Sequence, residues 1–258
     1  IFCYLCRLIF DREMAFLPTT VKELEQRGWD YVDVIFVSGD AYIDHPSFGC
    51  AVICRYLENA GYRVAVLAQP NWKDDLRDFK KMGKPRLCFC VSSGCMDSMV
   101  NHYTAAKRKR SDDAYTAGGQ AGFRPDRATI VYSNILKQLY PSTPVLIGGI
   151  EASMRRLAHY DYWSDSLMPS ILLDSKADML IYGMGEKVVS EVCNKLREGK
   201  KIEELTDIRQ SAYLCRKPVA SPQGWNDTLL PSFEQCRKDK LAQAEAIRLF
   251  ERHSNKSA

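Results

Sequence analysis

Small and polar residues that could bind a ligand follow four apolar runs of the sequence. They lie at residues 40–49, 92–97, 148–153 and 183–186. In a parallel sheet the carboxyl ends of the strands meet at one edge, where α/β proteins bind their ligands. The sequence therefore predicts a substrate- or cofactor-binding site made of ten residues: Asp40, His45, Ser92, Gly148, Gly149, Glu151, Ser153, Gly183, Gly185 and Glu186. We expect the last seven to share one cleft, with His45 and Ser92 at its border.

The expected chemistry is recognition of a polar or anionic ligand, and no catalytic residue is predicted. Gly148 and Gly149 leave the backbone open to close approach, and helix amino termini beside them offer free N–H groups. Ser153 can donate a hydrogen bond, and Glu151 can accept one from a ribose, amide or ammonium group. In the alternative interpretation, Glu151 and Glu186 only stabilise the dipoles of their helices.

Motifs for other kinds of site are weak or absent. The sequence has no G-x-G-x-x-G after the first predicted strand and no G-x-x-x-x-G-K-[ST], so it lacks the NAD and P-loop fingerprints. Cys3-x-x-Cys6 has no second pair at zinc-site spacing, and no metal site is predicted. The basic run at residues 107–110 lies near Tyr103 and Tyr115. It can contact phosphate, including nucleic acid, or it can be a solvated loop.

The composition is that of a globular protein. The chain has 258 residues, of which 46% are hydrophobic, and its net charge of +4 is too small to imply nucleic acid by itself. No apolar run approaches the roughly 20 residues that a membrane-spanning helix needs. The chain has ten cysteines, and several lie in strand-like or helical runs, which indicates reduced, buried thiols and a cytoplasmic location. Residues 1–13 lack a signal-peptide pattern and are interpreted as a leader or read-through before Met14.

Strand-like runs alternate with helical periodicity, which predicts a doubly wound, Rossmann-like α/β fold. We expect it to occupy residues 14–200 around a mainly parallel sheet of about five strands. Prolines after residue 200 and a charged helical pattern predict a linker and a helical carboxyl-terminal extension over residues 201–258. The strands are predicted at residues 32–38, 63–68, 86–91, 145–147 and 177–182, and the long polar segment 96–124 is expected to be functional or disordered.

Four longer motifs resemble one known family. They are DAYIDHPSFG at residues 40–49, MDSMVNHYTAAKR at 96–108, GGIEASMRRLAHYDYWSD at 148–165 and LLDSKADMLIYGMGE at 172–186. Over about residues 16–250 the chain resembles the amino-terminal region of the YgiQ-type radical SAM proteins, the uncharacterised family numbered 0313. The resemblance implies a domain similar to the cobalamin-binding domain of other radical SAM enzymes.

The resemblance also implies that the whole protein has a radical SAM barrel with a C-x-x-x-C-x-x-C motif for a 4Fe-4S cluster. This chain lacks that motif, because the pair Cys50 and Cys54 is followed next by Cys88. Domains that bind cobalamin through histidine typically show D-x-H-x-x-G, whereas Asp44 and His45 are adjacent here. We therefore assign no bound cofactor to this chain, and the pattern does not support cobalamin.

The favoured hypothesis is a non-catalytic amino-terminal domain of a radical SAM iron–sulfur enzyme of unknown substrate. The 4Fe-4S cluster and S-adenosylmethionine are implied for the whole protein, and this chain alone is expected to be inactive. Its expected partners are its own missing radical SAM domain and an unknown substrate, RNA included, but no membrane. A stand-alone nucleotide-, corrinoid- or RNA-binding module without chemistry is the alternative. A complete Rossmann enzyme, glycosyltransferase-like for example, is a third hypothesis.

Overall fold

The computed structural model describes residues 16–254. The interpretations of residues 1–13, of Met14 and of Cys3-x-x-Cys6 fall outside this range. Within it, no helix combines the length and the apolar character that a bilayer crossing demands.

A six-stranded sheet forms the centre of the fold. Its strands stand in the order β2-β1-β3-β4-β7-β8. The first five are parallel, and β8 pairs antiparallel with β7 at the edge. The predicted mainly parallel α/β sheet is thus confirmed. Strand β8 was not predicted, because two residues are too short for a recognisable sequence pattern. The bounds are β1 Val34–Ser38, β2 Val64–Ala68, β3 Cys88–Ser92, β4 Val145–Gly148, β7 Met179–Ile181 and β8 Ser211–Ala212.

Ten α-helices and a separate hairpin surround the sheet in the described range 16–254. The hairpin pairs β5 (His159–Asp161) with β6 (Ser166–Met168). The helices are α1 Val21–Gln26, α2 Gly49–Asn59, α3 Arg77–Lys80, α4 Ser98–His102, α5 Ala128–Leu139, α6 Gly149–Met154, α7 Ile171–Ser175, α8 Glu186–Arg197, α9 Phe233–Lys238 and α10 Lys240–Ser254.

Alternate residues of each strand pack into two separate cores, one on each face of the sheet. In β1, Val34 and Phe36 face the core that contains α2 and α8, whereas Ile35 and Val37 face the core that contains α3, α5, α6 and α7. This alternation follows from the two-residue period of a strand. All five residues of β1 are buried, as expected for a parallel strand covered on both faces.

The strand order creates a topological switch point between β1 and β3. From β1 the chain first adds β2 on one side, and it then crosses to add β3 on the other side. The loops that leave β1 and β3 therefore diverge towards opposite faces of the sheet. This divergence opens a crevice at their carboxyl ends, where doubly wound proteins bind ligands.

The carboxyl-terminal part differs in detail from the expectation. Packing continues past residue 200, because Ile202, Leu205 and Ile208 are buried in the core beside α8. The predicted helical extension contains two helices, α9 and α10, separated at Asp239. Asp239 adopts an extended conformation, and its carboxylate accepts a 2.9 Å hydrogen bond from the Leu241 N–H. This side-chain bond interrupts the helix at Asp239, and α10 begins at the next residue.

We expect the eight cysteines of the described range, all of them free thiols, to differ strongly in reactivity. Cys88 and Cys193 are fully buried, and contact with Cys193 is the main cause that raises the pKa of Cys88 well above its ordinary value. Because a raised pKa removes the reactive thiolate at pH 8, native Cys88 should resist iodoacetamide. Cys193 should resist it because the reagent cannot reach a fully buried thiol, whereas exposed Cys215 should react readily. Peptide mass spectrometry with and without urea measures this. Equal labelling of Cys88 and Cys215 in the native protein would contradict the packing.

Candidate functional site

The backbones of β1 and β3 nearly touch where the two strands end. A Cβ atom added to Gly39 would overlap the carbonyl oxygen of Ser93, and one added to Gly94 would overlap the carboxylate of Asp40. The Gly39 N–H also donates a 3.0 Å hydrogen bond to the carbonyl of Ser92. Contacts within the protein itself thus require glycine at positions 39 and 94.

A buried arginine ties these strand ends to the segment 96–124. Nε and Nη2 of Arg124 donate to the two carboxylate oxygens of Asp113 at 3.0 and 3.1 Å. Nη1 donates to the Ser93 carbonyl at 2.9 Å and lies 2.8 Å from Oδ1 of Asp40. None of the Arg124 side chain is exposed to solvent. The segment is therefore ordered, and it covers the carboxyl edge of the sheet.

The two aspartates that contact Arg124 have pKa values shifted in opposite directions. Burial raises the pKa of Asp40 above its ordinary value, although the Cys95 N–H and Arg124 act against this shift. Burial also acts to raise the pKa of Asp113, but the Tyr115 N–H and Arg124 outweigh it and leave that pKa lowered. Asp113 is thus the carboxylate that its surroundings hold ionised.

A cleft with two lobes, here called the edge cleft, opens beside this cluster. The first lobe has a volume of about 270 Å³, and its lining includes Asp40, Ser47, Gly49, Ser92, Cys95 and Gly149. The second lobe has about 290 Å³, and Ser47, Gly49, Ser92 and Gly149 line it as well. Because the lobes share these residues, they form one continuous crevice at the switch point.

The structure brings most of the predicted residues together in this cleft. The second lobe is lined by the turns after β4 and β7, with Gly148, Gly149, Gly183, Gly185 and Glu186. The remainder of its wall is mainly apolar and includes Ile53, Ile147, Ile181 and Val189. The cleft therefore combines a polar first lobe with an apolar second lobe.

Two longer helices begin at the cleft. α2 starts at Gly49 and α8 at Glu186, and neither amino terminus has a side chain that caps it. Gly49 lines both lobes, and Glu186 lines the second. Uncapped helix amino termini carry unsatisfied N–H groups and a positive dipole end. The cleft can therefore hold an anionic or strongly polar group.

Glu151 does not face the cleft as predicted. Its side chain is buried, with 1% of the residue exposed. One carboxylate oxygen accepts hydrogen bonds from the N–H and hydroxyl of Ser98 at 2.8 and 2.5 Å, and the other accepts one from the Thr129 N–H at 2.9 Å. The carboxylate thus satisfies amides at the starts of α4 and α5 and joins both helices to α6. It is occupied by the protein and is not exposed to a ligand.

Asp40 and His45 lie at or beside the cleft as predicted, whereas Ser153 does not. Asp40 lines the first lobe, but its carboxylate is engaged by the Cys95 N–H at 2.7 Å and by Arg124. His45 is exposed and lies beside the cleft without lining it, and its Nδ1 accepts the Ser47 N–H at 3.1 Å. Ser153 is outside the cleft, since α6 carries it about 6 Å along the helix axis from Gly149.

Gly149 has a role that the sequence suggested only in part. Its φ of +80° lies in the left-handed region, which residues with a side chain adopt only with strain. An added Cβ would also lie 2.5 Å from the Ser92 hydroxyl oxygen. The space beside Gly149 is therefore occupied by Ser92 of β3 and not by a ligand. Open space for a ligand lies beside Gly49, where an added Cβ would meet no atom within 4 Å.

Sequence reasoning missed Arg124 and Cys95. Arg124 follows a glycine-rich stretch with no motif, and only the fold reveals its carboxylate partners. Cys95 lines the first lobe, and burial, with the nearby charge of Asp40, raises its pKa to about 11. Its thiol therefore stays protonated near neutral pH and is not a ready nucleophile.

The residues that the structure describes do not fit an iron–sulfur cluster. Three thiolates are needed to hold the cluster iron. Across the described residues 16–254, no group of three or more His, Cys, Asp or Glu side chains is placed to hold a metal ion.

We expect Glu151→Ala to destabilise the chain by about 3 kcal/mol, because it leaves buried amide and hydroxyl groups at two helix starts without an acceptor. The matched control is Glu186→Ala, which removes a helix-start glutamate that these bonds do not involve. It should cost only about 0.3–1 kcal/mol. Urea unfolding measures both, and equal costs would show that Glu151 acts only on the helix dipole.

Comparison with known proteins places the chain in a family. Residues 16–258 match the sequence model of the family described as Radical SAM N-terminal. A UPF0313 protein of Porphyromonas gingivalis is 56% identical over 240 residues, which cover 93% of this chain and 38% of the relative. A UPF0313 protein of Bacteroides thetaiotaomicron is 55% identical and covers 94% and 41%, respectively. The UPF0313 protein GSU2873 of Geobacter sulfurreducens is 50% identical and covers 94% and 40%.

Two solved structures of TsrM, a radical S-adenosylmethionine methyltransferase from Kitasatospora setae, are also similar. The structure with tryptophan and aza-SAM gives 18% identity and a TM-score of 0.46, and covers 71% of this chain and 28% of that one. The structure with cobalamin and a [4Fe-4S] cluster gives 17% identity and a TM-score of 0.45, with 71% and 29% covered. The chain spans about two fifths of the length of the curated relatives above. By the match over residues 16–258, the chain belongs to the Radical SAM N-terminal family.

Proposed function

We propose that this chain is the non-catalytic amino-terminal domain of a radical SAM iron–sulfur enzyme and that its edge cleft binds a substrate or cofactor. The observation that carries the proposal is the two-lobed cleft at the switch point of the sheet, lined by two uncapped helix amino termini. Family membership and the greater length of the relatives support the placement within a larger enzyme.

The cleft favours a small molecule with an anionic or polar group and an apolar body. The polar group would lie at the amino ends of α2 and α8, where the first amides offer hydrogen bonds. The apolar body would lie against Ile53, Ile181 and Val189 in the second lobe. Ser47 and Ser92, which line both lobes, offer hydroxyl groups between them.

The cluster and S-adenosylmethionine belong, in this proposal, to a radical SAM domain outside this chain. Such a cluster supplies the electron that cleaves S-adenosylmethionine. The present chain would contribute the binding surface and no ligand to the iron, consistent with its missing C-x-x-x-C-x-x-C motif. A corrinoid in this cleft would bind without a histidine ligand from His45, because His45 does not line the cleft.

The enzyme assignment predicts activity that depends on more than this chain. The full-length gene product, reconstituted anaerobically with iron and sulfide, should show cluster absorbance and release 5′-deoxyadenosine from S-adenosylmethionine. The 258-residue chain treated in the same way should show neither, because it lacks the cluster motif. Absence of both signals in the full-length product would favour the stand-alone binding module. Turnover by this chain without iron would favour a complete Rossmann enzyme.

The cleft assignment predicts that Gly49→Trp weakens ligand binding without unfolding the chain. The new side chain would extend into open space at the junction of both lobes. Calorimetric titration of the chain with ATP, S-adenosylmethionine and hydroxocobalamin should show binding of at least one, weakened at least about tenfold by the variant. The control Asn59→Trp places tryptophan at the other end of α2 and should bind as the wild type does.

Two outcomes would contradict the cleft assignment. One is that no probe binds the wild-type chain. The other is that Gly49→Trp and Asn59→Trp bind the same probe equally well. Circular dichroism of both variants, measured beside the titrations, separates blocked binding from unfolding.

A further inference from the structure

A second cavity lies apart from the edge cleft and shares no lining residue with it. This aromatic cavity has a volume of about 500 Å³. It lies between α4, the loop that follows it, the end of α6 and the β5–β6 hairpin. Its lining includes Val100, Tyr103, Arg110, Met154, Tyr160 and Tyr162.

Four aromatic side chains of the cavity gather at one exposed place. Tyr160 and Tyr162 are 55% and 58% exposed, and their hydroxyl groups donate hydrogen bonds to Asp165 at 2.6 Å and to the Ala105 carbonyl at 2.5 Å. The rings of Tyr103 and Trp163 lie with centroids 4.3 Å apart and are tilted by 40° to each other. Large apolar side chains gathered at one exposed place usually mark a binding surface. The hydroxyl hydrogen bonds hold the two outer tyrosines in place while much of their surface stays exposed.

A basic loop borders the same cavity. Nζ of Lys107 lies 5.1 Å from the ring centre of Tyr162 and 5.6 Å from that of Trp163, and it donates a 2.9 Å hydrogen bond to the Trp163 carbonyl. These contacts hold the loop against the hairpin. The following residues, Arg108, Lys109 and Arg110, form no ion pair with any acid in the described part of the chain.

The acids that line the cavity are already paired. Asp97 forms an ion pair with Arg155. Asp161 lies 2.7 Å from Nη2 of Arg127. Asp165, which accepts a 2.6 Å hydrogen bond from the Tyr160 hydroxyl, adds one negative charge beside the cavity. The three cations Arg108, Lys109 and Arg110 outnumber it. The excess charge at this surface is therefore positive, which favours an anionic ligand.

We propose that the aromatic cavity binds a single-stranded nucleic acid. Unpaired bases would stack on Tyr160 and Tyr162, while Arg108, Lys109 and Arg110 contact the phosphates. Exposed aromatic rings beside a run of cations are the combination that proteins use for single strands, because every base has a face that can stack. The bases of a duplex are stacked on one another and cannot reach the rings, so a duplex should bind more weakly.

This inference goes beyond the proposed function, because it concerns a different surface and a polymeric ligand. It also selects between the two interpretations of residues 107–110. A solvated loop would not need to be held against two aromatic rings.

The first test measures binding of fluorescein-labelled oligonucleotides of about 12 residues to the chain by fluorescence anisotropy. Single-stranded RNA and single-stranded DNA of the same sequence identify the source of the ligand, and the matching duplex and inorganic polyphosphate serve as competitors. We expect at least one single strand to bind and the duplex and polyphosphate to compete poorly. Tyr160→Ala should weaken binding about tenfold through lost stacking, whereas Tyr56→Ala, which removes an exposed tyrosine on α2, should not.

The second test separates local contacts from net charge. Log affinity falls with log salt, and each phosphate contact contributes about −0.7 to this negative slope. Arg108→Ala, Lys109→Ala and Arg110→Ala together should therefore make the slope less steep by about two. The control Lys200→Ala, Arg216→Ala and Lys217→Ala removes the same charge from exposed positions away from the aromatic cavity and should leave the slope unchanged.

Three results would overturn the proposal. The first is that neither single strand binds. The second is that polyphosphate competes as well as RNA or DNA and Tyr160→Ala has no effect, which would reduce the site to charge attraction. The third is that a tyrosine-rich acidic peptide binds while oligonucleotides do not, which would make the cavity a protein-binding surface.

Discussion

The carboxyl edge of this domain depends on one buried guanidinium. Arg124 is held by both oxygens of Asp113, by the Ser93 carbonyl and by Asp40. Burial of an unpaired charge costs several kcal/mol of folding free energy. The guanidinium and its carboxylate partners must therefore be buried together, because each offsets the cost of burying the other. The cluster joins the ends of β1 and β3 to a segment that is distant in sequence. Together with the Ala41 N–H to Tyr115 carbonyl bond, it fixes the loops at the switch point around the edge cleft.

The same edge is closed tightly at three glycines, where the backbone of one segment touches the backbone or a side chain of another. Gly39 meets Ser93, Gly94 meets Asp40, and Gly149 meets Ser92. Side chains at these positions would push the strand ends apart. The floor of the cleft is therefore rigid, whereas its outer wall at Gly49 is open. Binding specificity is thus expected to reside in the outer wall and in the helix amino termini.

The sequence predicted the parallel sheet because short continuous apolar runs such as Val34–Ser38 are typical of strands buried on both faces, and because these runs alternate with helical periodicity. It also placed the glycine turns at one edge, since that follows from topology alone. It was wrong about the side chain of Glu151, because a glutamate at a helix start looks the same whether it faces solvent or two neighbouring helices. The contacts of Arg124 were likewise invisible, since its partner Asp40 is 84 positions away in the chain. Long-range ion pairs leave no periodic signal.

One short helix connects the two surfaces of the domain. Gly149 and Ile150, at the start of α6, line the first lobe of the edge cleft, while Met154 and Arg155, at its end, line the aromatic cavity. Six helical residues span about 9 Å, and Glu151 fixes them to α4 and α5 from within. A rigid element of this length sets the distance between the two cavities. The two proposed ligands, a nucleic-acid strand in the aromatic cavity and a small molecule in the edge cleft, would therefore contact opposite ends of the same helix. Neither ligand could change the distance between these ends without breaking the buried hydrogen bonds of Glu151.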